Sequence, residues 1–180
     1  EMEIPFWYPT NALPNGFNTE QPKRSHGITN MHHFYTKRNL WILSSIWEKI
    51  EAIDLKIMFL ILLVNNSRMS RYGSRTGNVS GTLYVPSMMK ELNVLEYLKR
   101  KLKGQRGILN PLNLLNKELT KNYSSISINS ITKLKLKDNS VDYIFTDPPF
   151  GSNLMYSELN LITESWLKVF TNNNKEAIIT

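Results

Sequence analysis

The chain has 180 residues, 41% of them hydrophobic, with a formal net charge of +7 and no cysteine. Its size and apolar content suffice to bury one sizeable core or two small ones. The missing cysteines exclude disulfides, thiolate zinc sites and cysteine nucleophiles, and fit a reducing compartment, so a cytoplasmic location is expected.

Residues 1–38 carry the turn formers of "YPTNALPNGFNTEQPKRSHG" and little periodicity, and are expected to form an extended, loop-rich arm. The opening "EMEIPFWYPT" lacks the basic region and apolar stretch of a signal peptide. Because it starts on Glu1 rather than Met, we expect an excised piece of a longer protein. His26, His32 and His33 have no cysteine or carboxylate at metal-ligand spacing. "MHHF" therefore reads as a loop or helix-start feature, and no metal site is expected.

Residues 39–110 read as a helical insertion with a basic loop. Leu43, Ile46, Trp47, Ile50 and Ile53 recur at three- and four-residue steps, the spacing of one buried helix face over 39–64. The most apolar run, "IMFLILLV", covers only Ile57–Val64, whereas a bilayer span takes about 20 residues. The polar, glycine-bearing "NNSRMSRYGSRTGNVSG" is a loop leading into "TLYVP", a short strand-like stretch closed by Pro86. From Ser87, read as an N-cap, Met88, Leu92, Leu95, Leu98 and Leu102 make a helical stripe that ends at Gly104.

Between Asn65 and Arg106 nine Lys or Arg face only Glu91 and Glu96, which accounts for the whole net charge. A concentrated basic excess favours a polyphosphate partner. Lys99 to Lys103 also suit the negative end of a helix dipole. Arg68, Arg71 and Arg75 have no helix end to complement and are the candidate contacts to a DNA backbone.

Residues 111–180 carry the second pattern. "SSISINSITKLKL" and the continuously apolar "SVDYIFT" read as strands, and Leu159, Ile162, Trp166 and Phe170 mark a helix starting near Ser157. Strand, strand, helix predicts an α/β fold with a parallel sheet. Ligands of such sheets sit beyond the carboxyl ends of strands, where "TDPPFG" falls.

Proline lacks an N–H, fixes its own φ and forces the preceding residue into an extended conformation. Asp147 and Pro148 are thereby held stiff, the Asp147 carboxylate and the Pro148 carbonyl can serve as two fixed acceptors, and Pro149 maintains the extension. Two acceptors match an amino group, and Phe150 offers a flat face on which a planar ring can stack. The lone pair of an exocyclic amino group on a nucleobase is delocalised into the ring. Accepting hydrogen bonds from both of its protons localises that lone pair for attack on a sulfonium methyl donor. A base inside a duplex would have to be flipped out to reach such a pocket.

"TDPPFG" resembles the Asp/Asn/Ser-Pro-Pro-aromatic motif of the DNA amino-methyltransferases that act on adenine or cytosine. "HFYTKRNLWIL", "SGTLYVPS" with "KELNVLEYLKRK", and "DYIFTDPPFGSNLMYSELNLITESWL" are similar to the interior of bacterial site-specific DNA methylases. The resemblance covers the chain from about His33 onward. A chance match to the motif occurs at roughly 10⁻⁵ per position, so coincidence is a poor account of it. The resemblance implies a partial Rossmann-like methyltransferase sheet, S-adenosylmethionine as methyl donor, DNA as partner and a place in a modification or restriction-modification system. Asp147 and Pro148 would hold the target amino group and border the methyl donor, while Phe150 would stack on the base.

The glycine-rich turn that such enzymes place between first strand and helix is not found. Gly73, Gly77 and Gly81 precede a strand-like stretch instead of following one. The expectation is a fragment whose cofactor motif comes from the remainder of the methyltransferase chain or from a partner subunit. Two other readings stay open, an RNA methyltransferase acting on a guanine amino group and a non-catalytic nucleic-acid-binding remnant. "YSELN" and "ESWL" favour the DNA family, and the missing cofactor motif favours the remnant.

Overall fold

Helices carry the architecture, and capping side chains set where several of them begin. The computed structural model describes residues 3–73, 79–103, 134–147 and 155–172, with no side-chain description at 53 and 54. In chain order the described helices are α1 (Phe17–His26), a short 3-10 turn (Met31–Phe34), α2 (Lys37–Lys49), α3 (Ile53–Asn65), α4 (Val94–Lys103), α5 (Tyr156–Leu159) and α6 (Leu161–Leu167). The chain divides into two units, one of Glu1–Lys99 with Gly151–Thr180 and the other of Arg100–Phe150.

The first unit is built on the apolar spacing of α2 and α3. Thr36 caps α2, its hydroxyl oxygen accepting the Asn39 N–H at 3.2 Å, and Leu40 and Leu43 are buried one turn apart. Phe59, Leu62 and Leu63 give α3 its buried face, and α6 packs against α3. Trp166 of α6 is fully buried, its ring centroid 5.2 Å from Phe59, 5.8 Å from Trp47, 6.0 Å from Trp7 and 6.2 Å from Tyr35. These edge-on contacts are a favoured aromatic geometry, and they join the N-terminal segment, α2, α3 and α6 in one core.

The stretch 1–38, read as an extended arm, contributes Leu13, Ile28, Met31 and Phe34 to that core and contains α1. Gly27 ends α1 at φ 63, with its N–H on Lys23 O and the Ile28 N–H on Pro22 O at 3.1 Å. This left-handed closure is one that glycine adopts at low cost. At the other end Gly16 supplies no side-chain cap, and Glu158 from α5 takes that role: its Oε2 accepts the Asn18 N–H at 3.2 Å and the Asn18 amide at 2.6 Å.

The expected α/β architecture with a partial Rossmann-like sheet is overturned. Among the described residues there is no strand or sheet, only isolated bridges between Ala12 and Asn30 and between Arg71 and Met89. Val141–Asp147 forms no ladder, and Tyr143, Ile144 and Phe145 are 80%, 72% and 83% exposed. An apolar run becomes a buried parallel strand only with neighbours on both sides, and here the ladder partners are missing among the described residues. "SSISINSITKLKL" lies outside the described residues up to position 133.

"TLYVP" is likewise not a strand. Leu83 sits at φ 54, and the Gln21 amide replaces a ladder by accepting the Val85 N–H at 3.0 Å and donating to the Val85 carbonyl at 2.8 Å. The helix read from Ser87 begins instead at Val94, because Asn93 Oδ1 accepts the N–H groups of Leu95 and Glu96 at 3.0 and 3.2 Å. Its buried face is then Val94 and Tyr97, and Leu95 is exposed. The single helical span over 39–64 is two helices, broken between Lys49 and Ile53. No described helix is long and apolar enough to cross a membrane.

Candidate functional site

Asp147 closes the described part of the 134–147 segment, in the Arg100–Phe150 unit. Its neighbours in the motif, Pro148, Pro149 and Phe150, lie outside the described residues. The segment turns at Asn139, whose φ is 55, and the Ser140 hydroxyl donates to the Lys137 carbonyl at 2.7 Å. Every described side chain from Leu134 to Asp147 is exposed, so the Asp147 carboxylate is reachable by solvent and solutes.

The three arginines assigned to a nucleic acid part company. Arg71 is exposed beside the Arg71–Met89 bridge, and Arg75 lies outside the described residues. Arg68 is half-buried, tied down by its backbone N–H on the Phe34 carbonyl at 2.7 Å, and it is among the residues lining a cavity of about 670 Å³. No described carboxylate forms an ion pair with it, in contrast to Arg38, which pairs with Glu91 at 3.0 Å.

That cavity belongs entirely to the first unit and is cationic in character. Lys37, at the first turn of α2, lines it with Arg68, and His26, His32 and His33 lie on the same lining. Glu3 is the one carboxylate on the wall among the described residues. Tyr8 adds an aromatic surface, its ring 5.8 Å from that of His32, and Ile4, Ile28 and Leu40 add apolar surface.

Local backbone demands fix the imidazoles. His33 Nδ1 accepts the N–H groups of Thr29 and Asn30, both at 3.3 Å, so the neutral ring carries its proton on Nε2, leaving that nitrogen as a donor. This reciprocal cap with Asn30 makes "MHHF" the helix-start feature its sequence suggests. His32 packs edge-on against His33 at 4.3 Å. Burial, and then the neighbouring His33, lower the His32 pKa below its ordinary value. No group of three His, Cys, Asp or Glu among the described residues could hold a metal ion.

Several polar atoms here lack partners. His26 Nδ1, His32 Nδ1 and the Tyr35 hydroxyl are buried and make no hydrogen bond. Full burial raises the Tyr35 pKa far above the usual phenol range; the Trp166 side chain pulls it back slightly, although neither the hydroxyl nor the indole N–H makes a hydrogen bond of ordinary geometry. An unpaired buried polar atom costs about 1–3 kcal/mol. Another cavity, of about 310 Å³, shares Arg68 in its lining with Asn39 and Asn66, whose buried Oδ1 atoms are also unpartnered.

Compared with protein families, curated proteins and solved structures, the chain matches none. The site residues rest on chemistry alone. Spacing gave no hint of the cavity, because Tyr8, His26, Lys37 and Arg68 are brought together by the turn at Gly27 and the packing of α2. The clue available in the sequence was "MHHFYTKR", where basic and aromatic residues interleave in the manner of nucleic-acid contacts. "YSELN" and "ESWL", which favour a DNA methylase by resemblance, have structural work here, Glu158 as a cap and Trp166 in the core.

Proposed function

We propose that this chain takes part in methyl transfer to the exocyclic amino group of adenine or cytosine in DNA, supplying the groups that hold the target base. The observation that carries the reading is "TDPPFG" itself. The two amino protons go to the Asp147 carboxylate and the Pro148 carbonyl, Phe150 stacks on the ring, and the amino nitrogen is left with a localised lone pair. The solvent-exposed placement of Asp147 supports this, since a base-holding carboxylate must be reachable.

The methyl donor in this reading is S-adenosylmethionine, and the described residues do not fit it. Gly27, at positive φ, closes α1, and among the described residues no strand leads into a helix through a glycine turn. In this reading the cofactor cradle is proposed to come from the remainder of a methyltransferase chain or from a partner subunit. Arg71, exposed in the basic loop, is placed with Arg75 on the phosphate backbone.

The test is transfer of a labelled methyl group to DNA by the complete enzyme that contains this chain. Asp147→Ala abolishes transfer, because alanine offers no acceptor. Phe150→Tyr largely retains it, because tyrosine still stacks. Full activity in Asp147→Ala defeats the assignment.

A further inference from the structure

We propose that the cavity between the N-terminal segment, the α1 end and the start of α2 is a binding site for the phosphate of a nucleotide, with Tyr8 as the platform for its base. The site does not depend on the methyl-transfer reading, since none of its residues belongs to the "TDPPFG" motif.

Charge selects the class of ligand. Lys37 and Arg68 bring two permanent positive charges to one lining, against the single carboxylate of Glu3. Arg68 is held in place through its backbone but finds no described acid, which is the state of a guanidinium awaiting an oxyanion. The histidines extend the preference. His33 keeps its Nε2 proton available because the backbone occupies Nδ1, and His26 and His32 each leave a buried ring nitrogen without a partner. A phosphate, with several acceptor oxygens, is the group that uses many donors at once.

Size and surface select the rest of the ligand. The cavity, at about 670 Å³, falls within the range of small-ligand sites and is larger than a bare anion needs. Tyr8, steadied by its contact with His32, and the apolar Ile4, Ile28 and Leu40 suit a planar heterocycle attached to the charged head. A free mononucleotide and a nucleotide at the end of a strand share this chemistry.

The experiment is calorimetric titration of the 180-residue chain with adenosine 5′-monophosphate, adenosine and a 5′-phosphorylated single-stranded oligonucleotide. The monophosphate binds at least tenfold more tightly than adenosine, and Arg68→Gln and Lys37→Gln each weaken it by about tenfold. Lys49→Gln, on the exposed C-terminal turn of α2, leaves it unchanged. Thermal melts confirm that the variants stay folded, and exposed Lys37 serves if Arg68→Gln does not fold. Should the oligonucleotide compete with the monophosphate and bind more tightly, the source is a strand end; if it does not compete, the source is the free nucleotide. Equal affinity for adenosine and its monophosphate, no binding of either, or equal losses in Lys37→Gln and Lys49→Gln overturn the proposal.

Discussion

Asn18 and Glu158, 140 residues apart, meet in a 2.6 Å hydrogen bond from the Asn18 amide nitrogen to the Glu158 carboxylate. The same carboxylate accepts the Asn18 backbone N–H, so a buried acid near the C-terminus caps a helix near the N-terminus. Such a carboxylate complements the positive end of the helix dipole as well as satisfying an orphan donor. Glu158→Ala is expected to lower stability by about 1–3 kcal/mol. Gly16→Ala acts through the same contact, because a methyl group at Gly16 would overlap the Glu158 carboxylate, lying 2.9 Å from its Cδ. Urea denaturation of both variants, and of the double variant, checks this: the two losses should fail to add, since each removes one interaction.

Trp166 is the next test of the core. It is fully buried among Phe59, Trp47, Trp7 and Tyr35, which come from segments distant in sequence. Trp166→Ala is expected to cost about 3–5 kcal/mol, a large share of the roughly 5–15 kcal/mol that holds a domain folded. Trp166→Phe should cost less, because an aromatic ring keeps part of the edge-on contacts. Thermal melts followed by near-ultraviolet circular dichroism, which reports on the packed aromatics, separate the two outcomes.

Protonation of His32 gives a pH dependence of known sign. Its pKa in the folded chain lies below the unfolded value of 6.5, chiefly because of burial. The unfolded chain therefore takes up a proton first as pH falls, and stability, complete above about pH 6.5, is lost through and below that value. His32→Gln should flatten this part of the curve. A series of melting temperatures from pH 8 to pH 5 on both proteins measures it; an unchanged slope in the variant would place the acid loss elsewhere.

The helices that sequence makes legible are those whose apolar spacing also meets the core. Leu43 and Trp47 in α2, and Ile162 and Trp166 in α6, fall where a 3.6-residue period puts them. Leu159 and Phe170, read on the same face as the latter pair, lie outside α6 and are exposed, the one expected helix being broken into α5 and α6. Helix α1 was hidden, because Gly16, Asn18 and Pro22 read as turn formers and its cap comes from Glu158, far along the chain. The start of α4 was misplaced for a local reason, Asn93 outcompeting Ser87 as the cap. "TLYVP" and "SVDYIFT" have the β-branched and aromatic content of strands, yet a strand also needs a ladder partner. Gln21 takes that place at Val85, and Tyr143 to Phe145 stand exposed without one. The "TDPPFG" reading rests on local chemistry, and its Pro148, Pro149 and Phe150 lie outside the described residues, whereas the cavity at Arg68 is assembled from three separate segments.

Exposed Arg71 makes a further prediction about DNA. If Arg71 contacts a backbone phosphate, Arg71→Gln reduces the slope of log affinity against log salt on duplex DNA by about 0.9, with affinity falling alike on all sequences. Filter binding by the protein over a range of salt concentrations measures that slope; an unaltered value removes Arg71 from the interface.

The most direct measurement of the central claim is nucleoside mass spectrometry on DNA from a host without its own DNA methylases, expressing the complete coding sequence that contains this chain. N6-methyladenine or N4-methylcytosine is expected in that DNA, reduced to background when Asp147 is replaced by alanine. Methylated DNA bases at the same level with Asp147→Ala, or N2-methylguanine in RNA with none in DNA, would contradict it.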